Sequence, residues 1–378
     1  MADGRVRVLV DATAVPPDRG GVGRYLDDLL PELPGGDIDL VVVAQQRDVV
    51  QLRARLVGAR VVAAPSAVAS RPVRLAWEQL ALPVLARRVR ADVLHSPHYT
   101  MPLLTRRPVV VTLHDATFFS HPELHSPLKA RFFRTWIRVA ARRAAVLVVP
   151  SQATRDEVVR FTATDGDAIV VAPHGVDGAA FRQVDAQEQT RVARSLGLEG
   201  RRWVAFLGTL EPRKNVPALV RAWVRACAGT EDPPALVLAG GRGWDTEVDP
   251  AVAEVPAGLT VLRPGYLPFE DLAGYLSGAA VVAYPSKGEG FGLPVLEAMA
   301  CGAAVLTTRE LSLTEVGGDA VAYCDVDVDS IAAALEALLA DDAERHRLSA
   351  AARARAATFT WAASAARHAE SYRRAARH

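Results

Sequence analysis

The chain is poor in cysteine and lysine and has no long apolar run. Three cysteines in 378 residues (Cys227, Cys301 and Cys324) are too few and too scattered for a disulfide framework or a zinc site. A reducing compartment is therefore expected. No apolar stretch approaches the roughly eighteen residues that a membrane span needs. The short charged start runs straight into a strand, unlike a signal peptide. The expectation is a cytoplasmic protein. A net charge of +1 excludes the global basic surface of a nucleic-acid binder. Charge is nevertheless uneven: residues 1–175 carry 23 Arg/Lys and 17 Asp/Glu (+6), and the rest carries 21 against 26 (−5). A mildly basic first half suits an anionic partner, either a phosphate-bearing acceptor or a membrane surface. Only three lysines occur (Lys129, Lys214, Lys287) against 41 arginines, so a lysine inside a structured loop is informative.

Half of the residues are apolar, enough for a sizeable core and two domains. The most informative stretch is Ala283 to Thr308, AYPSKGEGFGLPVLEAMACGAAVLTT. It begins with the end of an apolar run, Ala279 to Ala283, and turns through Pro285 and a glycine-rich loop. A helix follows with Pro294 near its first turn, where a missing N–H costs nothing. Cys301-Gly302 ends that helix, and Ala303 to Leu306 starts the next strand. Glu289 lies on the loop and Glu297 on the helix, eight positions on. Flanking glycines let backbone approach a ligand closely. The N–H groups of Gly290, Phe291, Gly292 and Leu293 sit at a helix N-terminus, which favours an anion such as a diphosphate. One carboxylate can then bind hydroxyls beyond the phosphates, and the other hydroxyls on the nearer side.

The second cationic feature follows the strand Trp203 to Leu207. Its loop, Gly208-Thr209-Leu210-Glu211-Pro212-Arg213-Lys214-Asn215, places adjacent cations at a strand's carboxyl end. Arginine offers a bidentate fork and lysine a point charge, a pair suited to a diphosphate. Further on, the strands Ala235 to Gly240 and Leu259 to Leu262 are expected, the latter before Gly265-Tyr266-Leu267-Pro268. Cys324 to Asp329, CDVDVD, can be read as a metal–nucleotide motif. It lies before a helix expected over Ser330 to Leu339, where acids suit the N-terminus, and the capping reading is preferred.

In the first half, Arg5 to Val10, Leu40 to Ala44, Arg60 to Ala64, Ala91 to His95, Val109 to Leu113, Ala145 to Val149 and Ile169 to Ala172 read as strands. Helical stretches separate them, which argues a parallel sheet. Asp18-Arg19-Gly20-Gly21-Val22-Gly23-Arg24-Tyr25 reads as a glycine-rich turn that can hold a phosphate on backbone N–H groups. The following helix has Leu26, Leu29 and Leu30 as its apolar face. Ala76 to Pro83, with Arg87, Arg88 and Arg90, reads as one helix ending in a basic turn.

Five of the nine histidines (His95, His98, His114, His121, His125) fall within 31 residues. No ligand pair stands at helical spacing with a carboxylate, so no metal site is expected. His114 ends the strand Val109 to Leu113, at the position where parallel sheets bind ligands. Lys129 to Arg143 carries six basic residues and no acid. On a helix Arg131, Arg134, Arg138 and Arg142 form one stripe, and Phe132, Phe133, Trp136, Val139 and Ala140 another. An interfacial membrane patch and a surface helix that buries its aromatic stripe are both open, the second preferred.

The run containing GFGLPVLEAMACG resembles the E-x7-E signature of retaining family 4 glycosyltransferases. In that family the first Glu contacts the donor sugar and the second the ribose. GTLEPRKN resembles the family's phosphate loop, with one departure. Many members have an Arg just after the first glycine, where this chain has Thr209, so the phosphate contacts pass to Arg213 and Lys214. By the same resemblance the loop with Gly21 and Gly23 faces the donor diphosphate, Gly265-Tyr266-Leu267 holds the base, and His114-Asp115 is the catalytic-loop histidine motif. The resemblance spans nearly the whole chain and is strongest to bacterial mannosyltransferase-like members.

The resemblance implies a GT-B fold, an α/β architecture of two Rossmann-like parallel-sheet domains facing each other across a cleft. The expected domains are 1–177 on the acceptor side, with a crossover helix over 361–378, a linker over 178–200, and a nucleotide-sugar domain over 201–360. The implied reaction is metal-independent transfer of a hexose, mannose favoured, with retention at the anomeric carbon. The donor is a nucleotide diphosphate sugar, GDP-mannose favoured and a UDP-sugar open, with no further cofactor. The acceptor is a glycan, a lipid-linked molecule or a small molecule, and no nucleic acid is involved. Peripheral attachment to the inner face of the plasma membrane is a further expectation. The alternatives are an epimerase of the same fold and a catalytically inactive sugar-nucleotide-binding partner.

Overall fold

A computed structural model describes residues 5–16, 19–33 and 35–377. Asp18, which opens the glycine-rich run, and His378 lie outside the described residues. The chain divides into two compact units, Met1–Gly175 with Thr360–His378, and Val176–Phe359.

In the first unit seven strands form a parallel sheet: β1 Val6–Asp11, β2 Ile38–Ala44, β3 Arg60–Ala63, β4 Val93–Ser96, β5 Val109–Thr112, β6 Val146–Val149 and β7 Ile169–Val171. The order is β3-β2-β1-β4-β5-β6-β7. Strands such as VVVT and VLVV are buried along their full length, because a parallel sheet is covered by helices on both faces. The order reverses between β1 and β4, which makes the carboxyl ends of those strands a topological switch point.

The expected single helix over Ala76–Arg90 is two helices, Arg71–Leu80 and Leu82–Arg88, broken at Ala81. Pro83 has no N–H to continue the first helix and is suited to the first turn of a new one. The C-terminal helix Trp361–Ala375 packs on the helix Gly21–Glu32 and on β5 and β6. Its buried residues Trp361, Ala365, His368, Tyr372 and Ala375 recur at three- and four-residue spacing. Gly175 sits where the chain crosses that helix's start. A Cβ there would lie 2.2 Å from Trp361 N, so only glycine fits.

The second unit has six parallel strands: β8 Trp203–Leu207, β9 Ala235–Ala239, β10 Val261–Gly265, β11 Val281–Tyr284, β12 Val305–Thr308 and β13 Ala322–Cys324. Their order is β10-β9-β8-β11-β12-β13, with the switch point between β8 and β11. The expected linker over 178–200 is instead part of this unit. Phe181, Val192 and Leu198 are buried in its core, and the helix Ala186–Ser195 packs on the helix Leu272–Ser277. The short helix expected within that stretch buries Val192 and Ala193 against this unit's core.

Candidate functional site

The loops after β8 and β11 are neighbours because those strands pair directly. A backbone bond from Lys287 N to Arg213 O (2.8 Å) ties them together. This topology brings together residues 76 positions apart in sequence. Arg213 donates through NH1 to the Gly288 carbonyl (2.8 Å) and to Glu289 Oε2, and through NH2 to Glu211 Oε1 (2.7 Å). Lys214 is 7% exposed and donates through Nζ to Glu289 Oε1 (2.6 Å) and to the Tyr284 hydroxyl. Its ammonium lies 4.8 Å from the Tyr284 ring centroid. Glu289, 6% exposed, also accepts at Oε1 from Tyr284 OH (3.0 Å) and Ser286 Oγ (2.8 Å).

The electrostatics follow from that packing. Burial pushes the Glu289 carboxyl upward, but the adjacent Arg213 and Lys214 charges outweigh it and hold the group at about 2. Burial, aided by Arg213, pulls the Lys214 ammonium below its ordinary value against the opposing pull of Glu289. Two cations and two carboxylates, Glu211 and Glu289, leave the cluster with no net charge.

Glu289 leads into the helix Leu293–Ala300 through Gly292, whose φ of +102° is left-handed. Gly290, Phe291, Gly292 and Leu293 thus form the approach to that helix N-terminus, with Phe291 buried. Pro294 lies in its first turn and Cys301 is its C-cap. Gly302 N to Met299 O and Ala303 N to Ala298 O close a Schellman motif. Glu297 lies on the helix, 2% exposed. Gly265 (φ +78°) ends β10, two strands from β8 on the sheet edge. Tyr266 beside it is 65% exposed and Leu267 half-buried. In CDVDVD, Asp327 caps the helix Val328–Ala340 by accepting from Ser330 N (2.9 Å), and Asp329 pairs with Arg225. Among the described residues no group of three or more His, Cys, Asp or Glu side chains is placed to hold a metal.

In the first unit His114 follows β5 and is half-buried. Its Nε2 lies 2.8 Å from the Pro97 carbonyl. A carbonyl only accepts, so Nε2 carries the proton and the neutral ring keeps Nδ1 as an acceptor. Burial lowers its pKa below the usual imidazole value, against the Pro97 bond and Asp115. Tyr25 meets the ring edge-on at 5.0 Å between centroids, and His174 lies at 6.0 Å. Gly21 and Gly23 do not form a tight turn at the end of β1. A 3-10 turn, Ala12–Ala14, capped by Asp11, intervenes, and both glycines belong to the helix Gly21–Glu32.

The histidine grouping differs from the sequence cluster. His95, His98 and His114 are joined by His174 and His368 from distant segments. His121 instead pairs with Glu123, and His125 meets the Phe118 ring in a tilted contact at 4.4 Å. His95 and His368 belong to one hydrogen-bonded chain. Tyr372 OH meets His95 Nδ1 (2.9 Å), and His95 Nε2 meets Thr112 Oγ1 (2.9 Å). Thr112 Oγ1 meets Tyr25 OH (3.0 Å), Tyr25 OH meets His368 Nε2 (2.7 Å), and His368 Nδ1 meets Ser364 O (2.8 Å). Ser364 O can only accept. With both imidazoles neutral, one direction satisfies every member: each group donates to the next, from Tyr372 to Ser364.

The basic helix runs Pro127–Arg143 and turns its aromatic stripe inward. Ala130, Ile137 and Ala140 are buried, and Phe133 and Trp136 pack against the core. Ile137, at the centre of that face, was absent from the expected stripe. Arg134 and Arg138 lie over the Phe119 ring at 5.6 and 4.9 Å. Together with Arg131 they line a groove of about 600 Å³.

Sequence reasoning missed Glu211, Tyr284 and Ser286 beside Glu289, although all three stand inside the two loops it singled out. It also missed Tyr25, His174 and His368 around His114, which no local spacing connects.

A sequence model described as Glycosyl transferases group 1 matches residues 188–355, and one described as Glycosyltransferase Family 4 matches residues 19–179. The O-antigen chain mannosyltransferase B of Escherichia coli is 32% identical over 292 residues, 77% of this chain and 74% of that protein. The D-inositol 3-phosphate glycosyltransferase of Corynebacterium diphtheriae is 28% identical over 383 residues, 92% of this chain and 88% of that protein. Among solved structures, Anabaena HepE in complex with UDP-glucose superposes with a TM-score of 0.77 at 17% identity, covering 97% of this chain and 99% of that one. Sucrose-phosphate synthase from Thermosynechococcus elongatus gives 0.79 at 19%, covering 98% of each. The identity to the mannosyltransferase, the two family matches and the shared fold agree: the chain belongs to the family 4 glycosyltransferases and has the GT-B fold.

Proposed function

We propose that the protein transfers a hexose, mannose favoured, from a nucleotide diphosphate sugar to a glycan, lipid-linked or small-molecule acceptor, with retention at the anomeric carbon. The observation that carries this reading is the Arg213–Lys214–Glu289 cluster at the carboxyl ends of β8 and β11, where a doubly wound sheet takes its ligand. Arg213, Lys214 and the N-terminus of the helix Leu293–Ala300 would stabilise the leaving diphosphate, a role that otherwise falls to a metal. Glu289 would bind sugar hydroxyls, Glu297 the ribose, and Gly265-Tyr266-Leu267 the base. Gly21 and Gly23 would add backbone contacts to the diphosphate.

His114 would contact the sugar. Its neutral ring, protonated at Nε2, offers a hydroxyl an acceptor at Nδ1 rather than a positive charge. The preference for mannose rests on the E. coli relative's name. UDP-glucose in the Anabaena structure keeps a UDP-sugar donor in play. The Arg131–Arg134–Arg138 groove supports contact with an anionic acceptor or with the inner membrane surface.

The test is a donor panel of GDP-mannose, UDP-glucose and UDP-N-acetylglucosamine, with labelled sugar and a glycan acceptor, followed by NMR of the product's anomeric configuration. Transfer with retention supports the reading. An epimerised free sugar, or no turnover with nucleotide still bound, would replace it by an epimerase or an inactive binding partner.

A further inference from the structure

We infer that Glu289 is a reversible occupant of the diphosphate site: it holds Arg213 and Lys214 when no donor is bound, exchanges with the diphosphate on binding, and helps expel the nucleoside diphosphate product on its return. The inference rests on the reading above that these two cations face the donor.

The geometry supports an exchange. Arg213 is held at one edge by Glu211, through NH2 (2.7 Å). Its other edge, NH1, serves Gly288 O and Glu289 Oε2. Lys214 Nζ reaches the second carboxylate oxygen at 2.6 Å. The carboxylate therefore spans both cations, as a phosphate would. With Glu211 and Glu289 in place the cluster is neutral, and a dianionic ligand meets no net attraction until Glu289 moves. Glu289 has other partners at its own loop, Ser286 Oγ (2.8 Å) and Tyr284 OH (3.0 Å). Gly288 and Gly290 flank it and Gly292 follows, so the backbone can turn the side chain aside.

The two ligands then differ in what they offer the displaced carboxylate. An intact nucleotide sugar brings hydroxyls that can bind it. A nucleoside diphosphate brings none, and leaves a buried carboxylate separated from its cations, a costly state. Glu289 would thereby weaken product binding selectively and favour release after transfer.

The test is calorimetric titration of the full chain with GDP and with UDP. Using whichever binds wild type, Glu289→Gln is expected to tighten binding at least tenfold, while Lys214→Ala weakens it at least tenfold. If Glu289→Gln binds equally or more weakly while Lys214→Ala weakens, the exchange is refuted and the donor reading stands. If Lys214→Ala leaves binding unchanged, or wild type binds neither nucleotide, both fall. Should Glu289→Gln lose its cooperative thermal transition, Glu289→Asp tests the same sign. It keeps the charge but withdraws it from Lys214 Nζ, and is expected to tighten binding by a smaller factor. Unchanged or weaker binding in that variant overturns the inference.

Discussion

Mild acid is expected to unfold the first unit before the second, because the first unit is built around imidazoles that it keeps neutral. Burial depresses His98 to about 3 and His368 to about 4, and holds His95 and His174 well below the usual imidazole value. A group whose folded pKa is depressed in this way is neutral in the fold but takes a proton when unfolded. Its contribution is intact above the unfolded value of about 6.5 and is lost as pH falls below it. At pH 5 His98 and His368 each cost about 2 kcal/mol, and His95 and His174 act in the same direction.

One carboxyl works the other way. Glu78 is raised to about 7 by its burial and by the neighbouring Asp11. It takes up its proton in the fold between pH 7 and 5, which returns about 2 kcal/mol. Asp11, raised by its burial, adds in the same direction. His98 and His368 less Glu78 leave a loss of about 2 kcal/mol, to which His95 and His174 add and from which Asp11 subtracts, against the 5–15 kcal/mol typical of a domain. For a unit of this size 2 kcal/mol is about 4–8 °C in Tm. The second unit shows no such set. Its most perturbed carboxylate, Glu289 at about 2, loses its stabilising effect only below about pH 4.5.

Scanning calorimetry at pH 7.5, 6 and 5 reads both transitions. Tyr25→Phe assigns the first unit, because it removes the donor to His368 Nε2 and the acceptor for Thr112. A first-unit transition that does not fall, or two transitions that fall together between pH 7.5 and 5, would refute the reasoning.

Lys214→Ala is expected to lower turnover by two to three orders of magnitude, about 3–4 kcal/mol, in a steady-state assay; activity near wild type removes the diphosphate assignment. The same substitution strips a buried partner from Glu289, so the second unit's thermal transition should fall as well. Turnover should survive EDTA if Arg213 and Lys214 take the role of a metal, as proposed; strong inhibition reversed by manganese contradicts this. Salt-sensitive flotation with vesicles rich in anionic lipid is expected at low salt, each arginine near the surface adding about 1 kcal/mol. Arg131→Glu tests that most cleanly, because Arg134 and Arg138 also cover Phe119; no wild-type binding at low salt rules out the membrane contact.

Local chemistry made much of the fold legible. Trp203–Leu207 appears with the expected bounds because Arg201 and Arg202 precede it and Gly208 follows. β10 runs Val261–Gly265 rather than the expected Leu259–Leu262, passing through Arg263-Pro264. On an edge strand proline loses no needed hydrogen bond, so the strand continues to Gly265. The single helix expected over Ala76–Arg90 fails for the opposite reason: the chain breaks at Ala81, two residues before Pro83, which starts a new helix.

The candidate site divides in the same way. Arg213, Lys214 and Glu289 could each be singled out, since their residue types and loops are local features. That Glu289 binds both cations could not, because the contact depends on β8 lying beside β11, a consequence of the order in which the whole sheet is wound. Pairing changes what the cations are. Read from sequence, Arg213 and Lys214 are two open positive charges awaiting a phosphate. In the fold they are half of a neutral cluster in which Glu289 already binds both, so a ligand of the proposed site would first displace that carboxylate. A diphosphate site assembled from such a cluster gives up affinity for any anion that cannot also occupy Glu289. In the proposed exchange that cost would make the second carboxylate oxygen, and not the cations alone, the determinant of which phosphate compound stays bound.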